Sequence, residues 1–385
     1  MTTRSGWPRR LAFAGAALLA LAACGSAGHR AGDSPSSGSF SGTRFLGDPA
    51  TNGFARATGP REFSFPADHG QHSEYRTEWW YFTGNLRDAD GRRYGFELTF
   101  FRIGLAAEAA ARQSAWGASQ MWMAHFAVTD ADGHRFAAVE RLARDALGLA
   151  GASSAPFRVW VKDWSAEGTF AEGRTDFHLR ARDGGLAIDL RLEGTGAPVL
   201  QGDGGLDAKG PEPGNASYYY SMPRVAAKGE LTTNGRSAEV SGTVWVDREW
   251  STSALSEGIV GWDWFALRLR DGRDLMFYRL RRSDGSASEF SGGSLVESDG
   301  ITRRRLHAAD VDAEALGWWT SPQTAVRYPI RWRLRVPSAG VDLDVEPYIP
   351  NQELVLSVRY WEGAVGASGA GGEPEAEGYL ELAGY

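Results

Sequence analysis

The chain has 385 residues, 12% of them aromatic, and a formal net charge of −7. At roughly 100–200 residues per domain, this length predicts two domains. An acidic chain is poorly suited to a phosphate backbone, so no nucleic-acid partner is expected. Fifteen tryptophans supply more flat apolar surface than short strands need for packing, which favours an apolar small-molecule ligand.

The N-terminus has the parts of an export signal. Three arginines within the first ten residues precede an apolar run that is too short to span a membrane in a mature protein. Residues 1–23 are therefore predicted to be a signal peptide. The segment Leu21-Ala22-Ala23-Cys24 resembles a lipobox, which implies cleavage before Cys24 and lipidation of its sulfur. The alternative is an ordinary signal peptide followed by a stray cysteine, but a single cysteine has no partner for an internal disulfide.

A lipidated Cys24 predicts an exported, membrane-anchored lipoprotein. Removing the three arginines takes the formal charge from −7 to −10. By the sorting rule known for Gram-negative lipoproteins, Gly25 implies the outer membrane or periplasmic face; in a host without one, the cell membrane carries the anchor. Residues 24–60 are rich in small and polar residues and are predicted to be a flexible tether. No later stretch is apolar and long enough for a transmembrane helix.

The rest of the chain has the pattern of antiparallel β-structure. Asp-Gly and Asn-Gly pairs, which suit tight hairpin turns, repeatedly separate alternating apolar runs. Many short strands of this kind predict a barrel or a sandwich. Helical periodicity is scarce, and two short helices are expected, at residues 104–115 and 308–316.

One hairpin pattern occurs twice. An aromatic strand beginning at Trp80 enters an Asp-Gly-Arg turn and returns to an arginine, and a second copy begins at Trp264. The turn glycines, Gly91 and Gly272, are 181 positions apart. This spacing predicts a duplication, with one domain over residues 61–240 and another over residues 241–385.

Several aromatic-rich segments stand in a characteristic order along the chain. They are Phe65–His72 with Arg76–Leu86, Tyr218–Arg224, Val244–Trp250 and Gly378–Tyr385. Together they resemble the AttH / hydroxyneurosporene synthase (CrtC) family of lipocalin-like (calycin) proteins. The resemblance implies an all-β fold of two tandem lipocalin-like antiparallel β-barrels, and a link to lipids or isoprenoids. One branch of the family contains carotenoid 1,2-hydratases, and many other members are called secreted hydrolases.

Asp247 is the leading candidate for a catalytic acid. Hydration of an isolated alkene needs a carboxylic acid kept protonated by an apolar wall, and aromatic faces that stabilise the passing cation. Asp247 lies between Trp245 and Trp250, and its aromatic-x-Asp spacing resembles the hydratase pattern. The alternative is an ion pair with Arg248 or another arginine. The region of Tyr218 and Tyr220 departs from the hydratases, which carry histidine and tryptophan there.

Two further residues are catalytic candidates. Glu78 precedes an aromatic run and shares a strand face with Trp80; the alternative is an ion pair with Arg76 or Arg102. His125 shares a face with methionines on a strand expected to line a barrel, where the alternative is a satisfied core histidine. The ligand-binding residues are predicted to be Trp80, Trp122, Tyr218, Tyr220, Trp245 and Trp250.

Other site chemistries have little support in the sequence. The spacing of Asp68, His69 and His72 would permit a metal site, but they lie in a loop that offers too few ligands. Hydrogen bonds from these side chains that fix the loop are favoured instead. No metal or cofactor is therefore expected. No Gly-x-Ser-x-Gly motif is present, so the hydrolase description is unsupported by motifs.

Three functions follow, in order of preference. The first is a membrane-anchored protein that binds a long apolar ligand, either an isoprenoid such as a carotenoid or a lipid. The second is a carotenoid 1,2-hydratase-like hydro-lyase that adds water to an isoprenoid double bond. The third is a structural or export-accessory scaffold whose barrels are filled by their own tryptophans.

Overall fold

The computed structural model describes residues 40–41, 53–107, 114–171, 173–252 and 255–385. Cys24, the predicted signal peptide and most of the predicted tether lie outside these residues. The described residues form strands and three 3₁₀ turns, Ala67–His69, Ala308–Asp310 and Pro337–Ala339. Within them, no helix has the length and apolarity needed to cross a membrane. The all-β prediction is therefore confirmed.

In chain order the strands are β1 (Phe40–Ser41), β2 (Thr77–Asp88), β3 (Arg93–Gly104), β4 (Gln120–Asp130), β5 (Arg135–Arg144), β6 (Ala150–Ser154), β7 (Phe157–Val161), β8 (Trp164–Ala171), β9 (Arg174–Asp183), β10 (Leu186–Thr195), β11 (Val199–Leu200), β12 (Leu206–Ala208), β13 (Ala216–Thr233), β14 (Arg236–Ser251), β15 (Ile259–Leu269), β16 (Asp274–Arg282), β17 (Gly292–Val296), β18 (Arg303–His307), β19 (Asp312–Thr320), β20 (Arg327–Val336), β21 (Val341–Pro347), β22 (Glu353–Val355), β23 (Val358–Ser368) and β24 (Pro374–Ala383).

The predicted turn residues join strands as expected. Asn234 and Gly235 have φ values of 52° and 73° and form the two-residue connection between β13 and β14. Two consecutive positive φ values are the requirement of a type I′ hairpin turn, which Asn-Gly meets with little strain. Gly272 likewise has a φ of 96° in the Asp-Gly-Arg turn between β15 and β16.

The two sheets share one strand order. The first runs β5-β4-β3-β2-β14-β13-β10-β9-β8-β7-β6, and the second runs β18-β17-β16-β15-β24-β23-β21-β20-β19. Each unit begins with a meander of four strands, β2–β5 in the first and β15–β18 in the second. The first strand of each meander pairs with the last strand of its unit, β2 with β14 and β15 with β24. The ends of each order are consecutive in the chain, as in a barrel whose seam lies between neighbouring strands. This common order agrees with the repeated hairpin in the sequence and confirms two tandem lipocalin-like units.

The change from the first sheet to the second comes later than the predicted boundary. β14 spans positions 240 and 241 and pairs with β2 along its length. The second sheet begins at β15, so the connection is residues 252–258. The expected boundary therefore falls inside a strand, because the last strand of the first unit must return to pair with the first one.

The helix expected at residues 308–316 is a 3₁₀ turn followed by β19. Exposure alternates along β19, and Asp312 lies opposite Arg335 on β20, with which it forms an ion pair of 2.5 Å. Cross-strand pairing has thus overridden the local helical pattern. The other expected helix, residues 104–115, begins at the end of β3, and residues 108–113 lie outside the described part of the chain.

Each unit has its own hydrophobic core, and further clusters join the two. Tyr81, Tyr219 and Trp245 of the first sheet pack with Trp264 and Tyr278 of the second. The rings of Trp245 and Trp264 meet edge to face, with centroids 6.2 Å apart. Part of the outer face of each sheet is consequently covered by the other, and the candidate site lies in this region.

Candidate active site between the two sheets

A cavity of about 180 Å³ lies between the sheets rather than inside either unit. Because side chains alternate along a strand, the residues that face this cavity are chain neighbours of those that fill the cores. A dry cavity of about 150 Å³ accommodates benzene, so this one holds a single ring or a short branched chain. Its aromatic walls are Trp79, Tyr81, Phe101, Tyr219, Trp262, Trp264, Tyr278 and Tyr360.

Asp247 faces this cavity and is 4% exposed. Its Oδ2 accepts a hydrogen bond of 2.6 Å from Tyr219, and its Oδ1 accepts bonds from Ser221 at 2.5 Å and from the Trp245 indole at 2.7 Å. Burial raises the pKa of Asp247 to about 7, against the lowering effect of these three donors. The carboxyl is therefore poised to exchange a proton near neutral pH.

The expected alternative for Asp247, an ion pair with an arginine, is absent from its described contacts. Arg248 points to the opposite face of β14, where it binds Glu78. Asp247 is instead connected to the second sheet by a chain of hydrogen bonds through Ser221. Ser294 of β17 donates to Gln201, whose amide donates to Ser221, at 2.8 and 2.9 Å. The orientation of Asp247 therefore depends on both sheets.

Three glutamates form a second acidic group in the same cavity. Glu97 lies on β3, and Glu362 and Glu381 lie directly opposite each other on β23 and β24. Like charges at opposed positions repel each other. Burial raises the pKa of Glu362 well above its usual range, and the charges of Glu97 and Glu381 raise it further. Burial, with the charge of Glu97, raises the pKa of Glu381 to about 8.

Aromatic and hydroxyl donors hold these glutamates in place. Tyr81 donates to Glu362 at 2.6 Å, and the Trp262 indole donates to Glu381 at 2.9 Å. Both Thr99 and Tyr360 donate to the same Glu97 oxygen, Oε1. The other oxygen of Glu97 is buried, and no described atom hydrogen-bonds to it.

His125 connects the cavity to the rim of the interface. Its Nδ1 lies 2.7 Å from the Tyr360 hydroxyl, which donates to Glu97, and its Nε2 lies 3.2 Å from Glu140. Glu140 also accepts a hydrogen bond from the exposed Ser357. These contacts form a continuous chain of proton-exchanging groups from the surface to the acidic cavity. His125 thus lies at the cavity, on the face shared with Met123 that the sequence indicated.

Glu78 lies at a different place. It is fully buried on the core side of β2, where Arg102 and Arg248 each bind one of its oxygens, and the His72 backbone N–H donates to both at 3.1 Å. Although burial opposes ionisation, the two arginines hold the pKa of Glu78 well below its usual range. The ion pair with Arg102 that the sequence offered as the alternative is present, and Glu78 does not face the cavity.

Most of the predicted ligand-binding aromatics also fill the first core. Trp80, Trp122, Tyr218, Tyr220 and Trp250 belong to its hydrophobic cluster. The sixth, Trp245, is not among the residues that line the cavity, and its indole N–H donates a hydrogen bond to Asp247. The residues that do face the cavity are the alternate ones, such as Trp79, Tyr81 and Tyr219.

The loop with Asp68, His69 and His72 is held by hydrogen bonds within the loop and to Tyr220 of β13. Asp68 accepts from the Ser64 backbone at 2.6 Å and lies 3.0 Å from His72 Nε2, while His69 Nδ1 lies 2.6 Å from the Tyr220 hydroxyl. Over the described ranges, no group of three or more His, Cys, Asp or Glu side chains is arranged to hold a metal ion.

Glu97, Glu362 and Glu381 were not among the site residues predicted from the sequence. Each stands between apolar neighbours on a strand, as in Phe96-Glu97-Leu98 and Leu380-Glu381-Leu382. A carboxyl in such a position is costly to bury unless it is paired or functional, and this was the available signal.

Sequence comparison places known proteins beside this arrangement. A family model described as AttH-like matches residues 56–385. The kievitone hydratase of Fusarium solani subsp. phaseoli is 22% identical over 242 residues, 60% of this chain and 66% of that protein. The dehydratase asqC of Emericella nidulans is 21% identical over 230 residues, 57% of this chain and 59% of that protein. Each match therefore spans less than two thirds of the relative.

Two crystal structures resemble the fold. A protein from Nitrosomonas europaea described as an AttH has a TM-score of 0.76 and 30% identity, covering 86% of this chain and all of that one. The kievitone hydratase of Nectria haematococca has a TM-score of 0.63 and 13% identity, covering 88% of this chain and 98% of that one. At that identity, the second likeness concerns the fold alone.

Proposed function

This chain belongs to the AttH-like family, and we propose that it is a hydro-lyase, acting on a carbon–carbon double bond of a largely apolar molecule held between the sheets. Relatives named as a hydratase and a dehydratase support the reaction class. The observation that carries the proposal is Asp247, a buried carboxyl that faces an aromatic cavity. Burial raises the pKa of this carboxyl to about 7.

The chemistry needs only groups that line the cavity. Protonated Asp247 transfers its proton to one alkene carbon, and the π electron pair forms the new C–H bond. The adjacent carbon becomes a cation, which the faces of Tyr219 and Trp264 stabilise. Water adds to that carbon, and the resulting oxonium returns one proton to a carboxylate of the cavity. Dehydration follows the same steps in reverse.

The cavity volume restricts the substrate. About 180 Å³ holds the reacting end of a molecule but not a whole carotenoid. Trp79, Phe101 and Trp262 line the cavity and are half-buried, so they form a rim along which a longer apolar tail leaves the site. The substrate class is accordingly a compound with a short prenyl or vinyl end.

Incubation of prenylated phenols and short isoprenoid alkenes in water labelled with heavy oxygen tests the proposal. We expect a tertiary alcohol that carries the label, detected by mass spectrometry. Because the reaction uses protonated Asp247, the rate should fall as pH rises through about 7. The absence of labelled alcohol from every compound that binds would contradict a hydro-lyase.

Binding without turnover would support the second candidate, a carrier of an apolar ligand. The aromatic lining of the cavity favours this function. In either case we propose that lipidated Cys24 tethers the protein to a membrane, which would place the cavity close to apolar compounds held there.

A further inference from the structure

The acidic side chains that face the cavity outnumber the basic ones. Of its described lining residues, only Lys209 and His125 are basic, whereas Asp247 and four glutamates are acidic. Lys209 is already paired, since its ammonium lies 2.6 Å from Asp207 and 3.4 Å from Glu249. His125 is turned toward Glu140 and Tyr360. Glu97, Glu362 and Glu381 are therefore left without a lysine or arginine partner among the cavity-lining residues.

Glu97 gives the second, independent indication of a missing partner. The residue is 1% exposed, and its Oε2 has no hydrogen-bond partner among the described residues. A buried acceptor without a donor destabilises the folded protein, and does so more strongly when it is charged. A ligand that brings N–H donors and a positive charge would satisfy this oxygen and the neighbouring carboxyls together.

The surrounding rings match the same kind of ligand. Tyr81 and Trp262 bind the glutamates through their polar edges, and Phe101 and Tyr360 complete the wall beside them. Aromatic faces attract an ammonium group, and most strongly when water is excluded. No described cluster of side chains meets the requirements of a metal ion, which favours an organic cation over an inorganic one.

We propose that this cavity is a binding site for a protonated primary amine on a small apolar body, with Glu97, Glu362 and Glu381 as its counter-charges. The ammonium group lies against the three carboxyls and donates to Glu97 Oε2, while the apolar body contacts the aromatic walls. The inference goes beyond the hydro-lyase, because it needs no reaction. The two proposals are compatible, because the amine uses the three glutamates and the reaction uses Asp247, all of which line the same cavity.

Calorimetric titration of the full chain with benzylamine and with benzyl alcohol tests the site. The two probes have nearly the same size and differ in charge at neutral pH. We expect benzylammonium to bind at least about tenfold more tightly, as one cation–aromatic contact and one charged hydrogen bond together predict. Repeating the titration in buffers of different ionisation enthalpy should show proton release, because the carboxyls ionise when the cation enters.

Three variants locate the effect. Glu97→Gln and Glu381→Gln should each remove most of the preference for the amine. Glu381 is half-buried, which keeps its replacement informative if Glu97→Gln does not fold. Glu239→Gln alters an exposed carboxyl of β14 and should leave the preference unchanged. Equal affinity for the two probes, binding without proton release, or an unchanged preference in Glu381→Gln would overturn the proposal, whatever the outcome of the hydration assay.

Discussion

Replacing Glu78 by glutamine is expected to lower the free energy of unfolding by about 3–5 kcal/mol, the usual cost of removing one partner from a buried ion pair. Glu78 is the only described carboxylate that both Arg102 and Arg248 contact, and all three side chains are buried. The arginines would remain in the core with much of their charge uncompensated. Urea unfolding followed by tryptophan fluorescence measures the loss.

The effect of Glu78 should depend on pH in a defined direction. Its pKa in the folded state lies below the ordinary value of 4.5, so its contribution to stability is present above that value and is lost as pH falls. The difference between wild type and Glu78→Gln should thus shrink in acid. As a control, Glu167→Gln disrupts the exposed pair with Arg180 and should cost less than about 1 kcal/mol. A loss that small for Glu78→Gln would refute its assigned structural role.

Replacing Asp247 by asparagine is expected to reduce the rate of labelled-oxygen incorporation by about 10²–10⁴-fold, the usual contribution of a positioned acid. Asparagine keeps the size of the side chain but cannot supply the proton. Because Tyr219, Ser221 and Trp245 all donate toward this position, the amide nitrogen also meets donors instead of acceptors. Both effects act on turnover.

Two controls separate the role of Asp247 from damage to the fold. Unfolding of Asp247→Asn should remain a single cooperative transition, and Glu239→Gln, which alters an exposed carboxyl, should retain the wild-type rate. If Asp247→Asn forms labelled alcohol at the wild-type rate, Asp247 is not the proton donor. One of the three cavity glutamates would then have to be the proton donor.

Most of the fold could be predicted from the sequence because the turn signals are local. Asn234-Gly235 specifies a two-residue turn by itself, and the repeated Asp-Gly-Arg hairpin anticipates the common strand order of the two sheets. The domain boundary was harder to place, since β14 returns to pair with β2, which lies far away in the chain. Pairing between strands that are far apart in the chain cannot be predicted from the local sequence pattern.

The candidate site was only partly predictable for a related reason. Period-two alternation identifies the buried face of a strand when its other face meets water, but both faces of β2 are covered. The run Trp79-Trp80-Tyr81-Phe82 therefore does not reveal which rings fill the core and which face the cavity. Asp247 was identified from its place between Trp245 and Trp250 and its aromatic-x-Asp spacing, and His125 from the face that it shares with methionines on a strand expected to line a barrel. The convergence of Glu97 with Glu362 depends on the packing of one sheet against the other.

The location of a bound alkene tests the central claim most directly, namely that the cavity between the sheets is the ligand site. Crystals soaked with 4-bromostyrene, a small aromatic alkene, would be measured at the bromine absorption edge. We predict an anomalous peak inside the cavity lined by Asp247 and Glu381. A peak within either core, for example beside Trp80 and Trp122, or no peak between the sheets, would contradict the account.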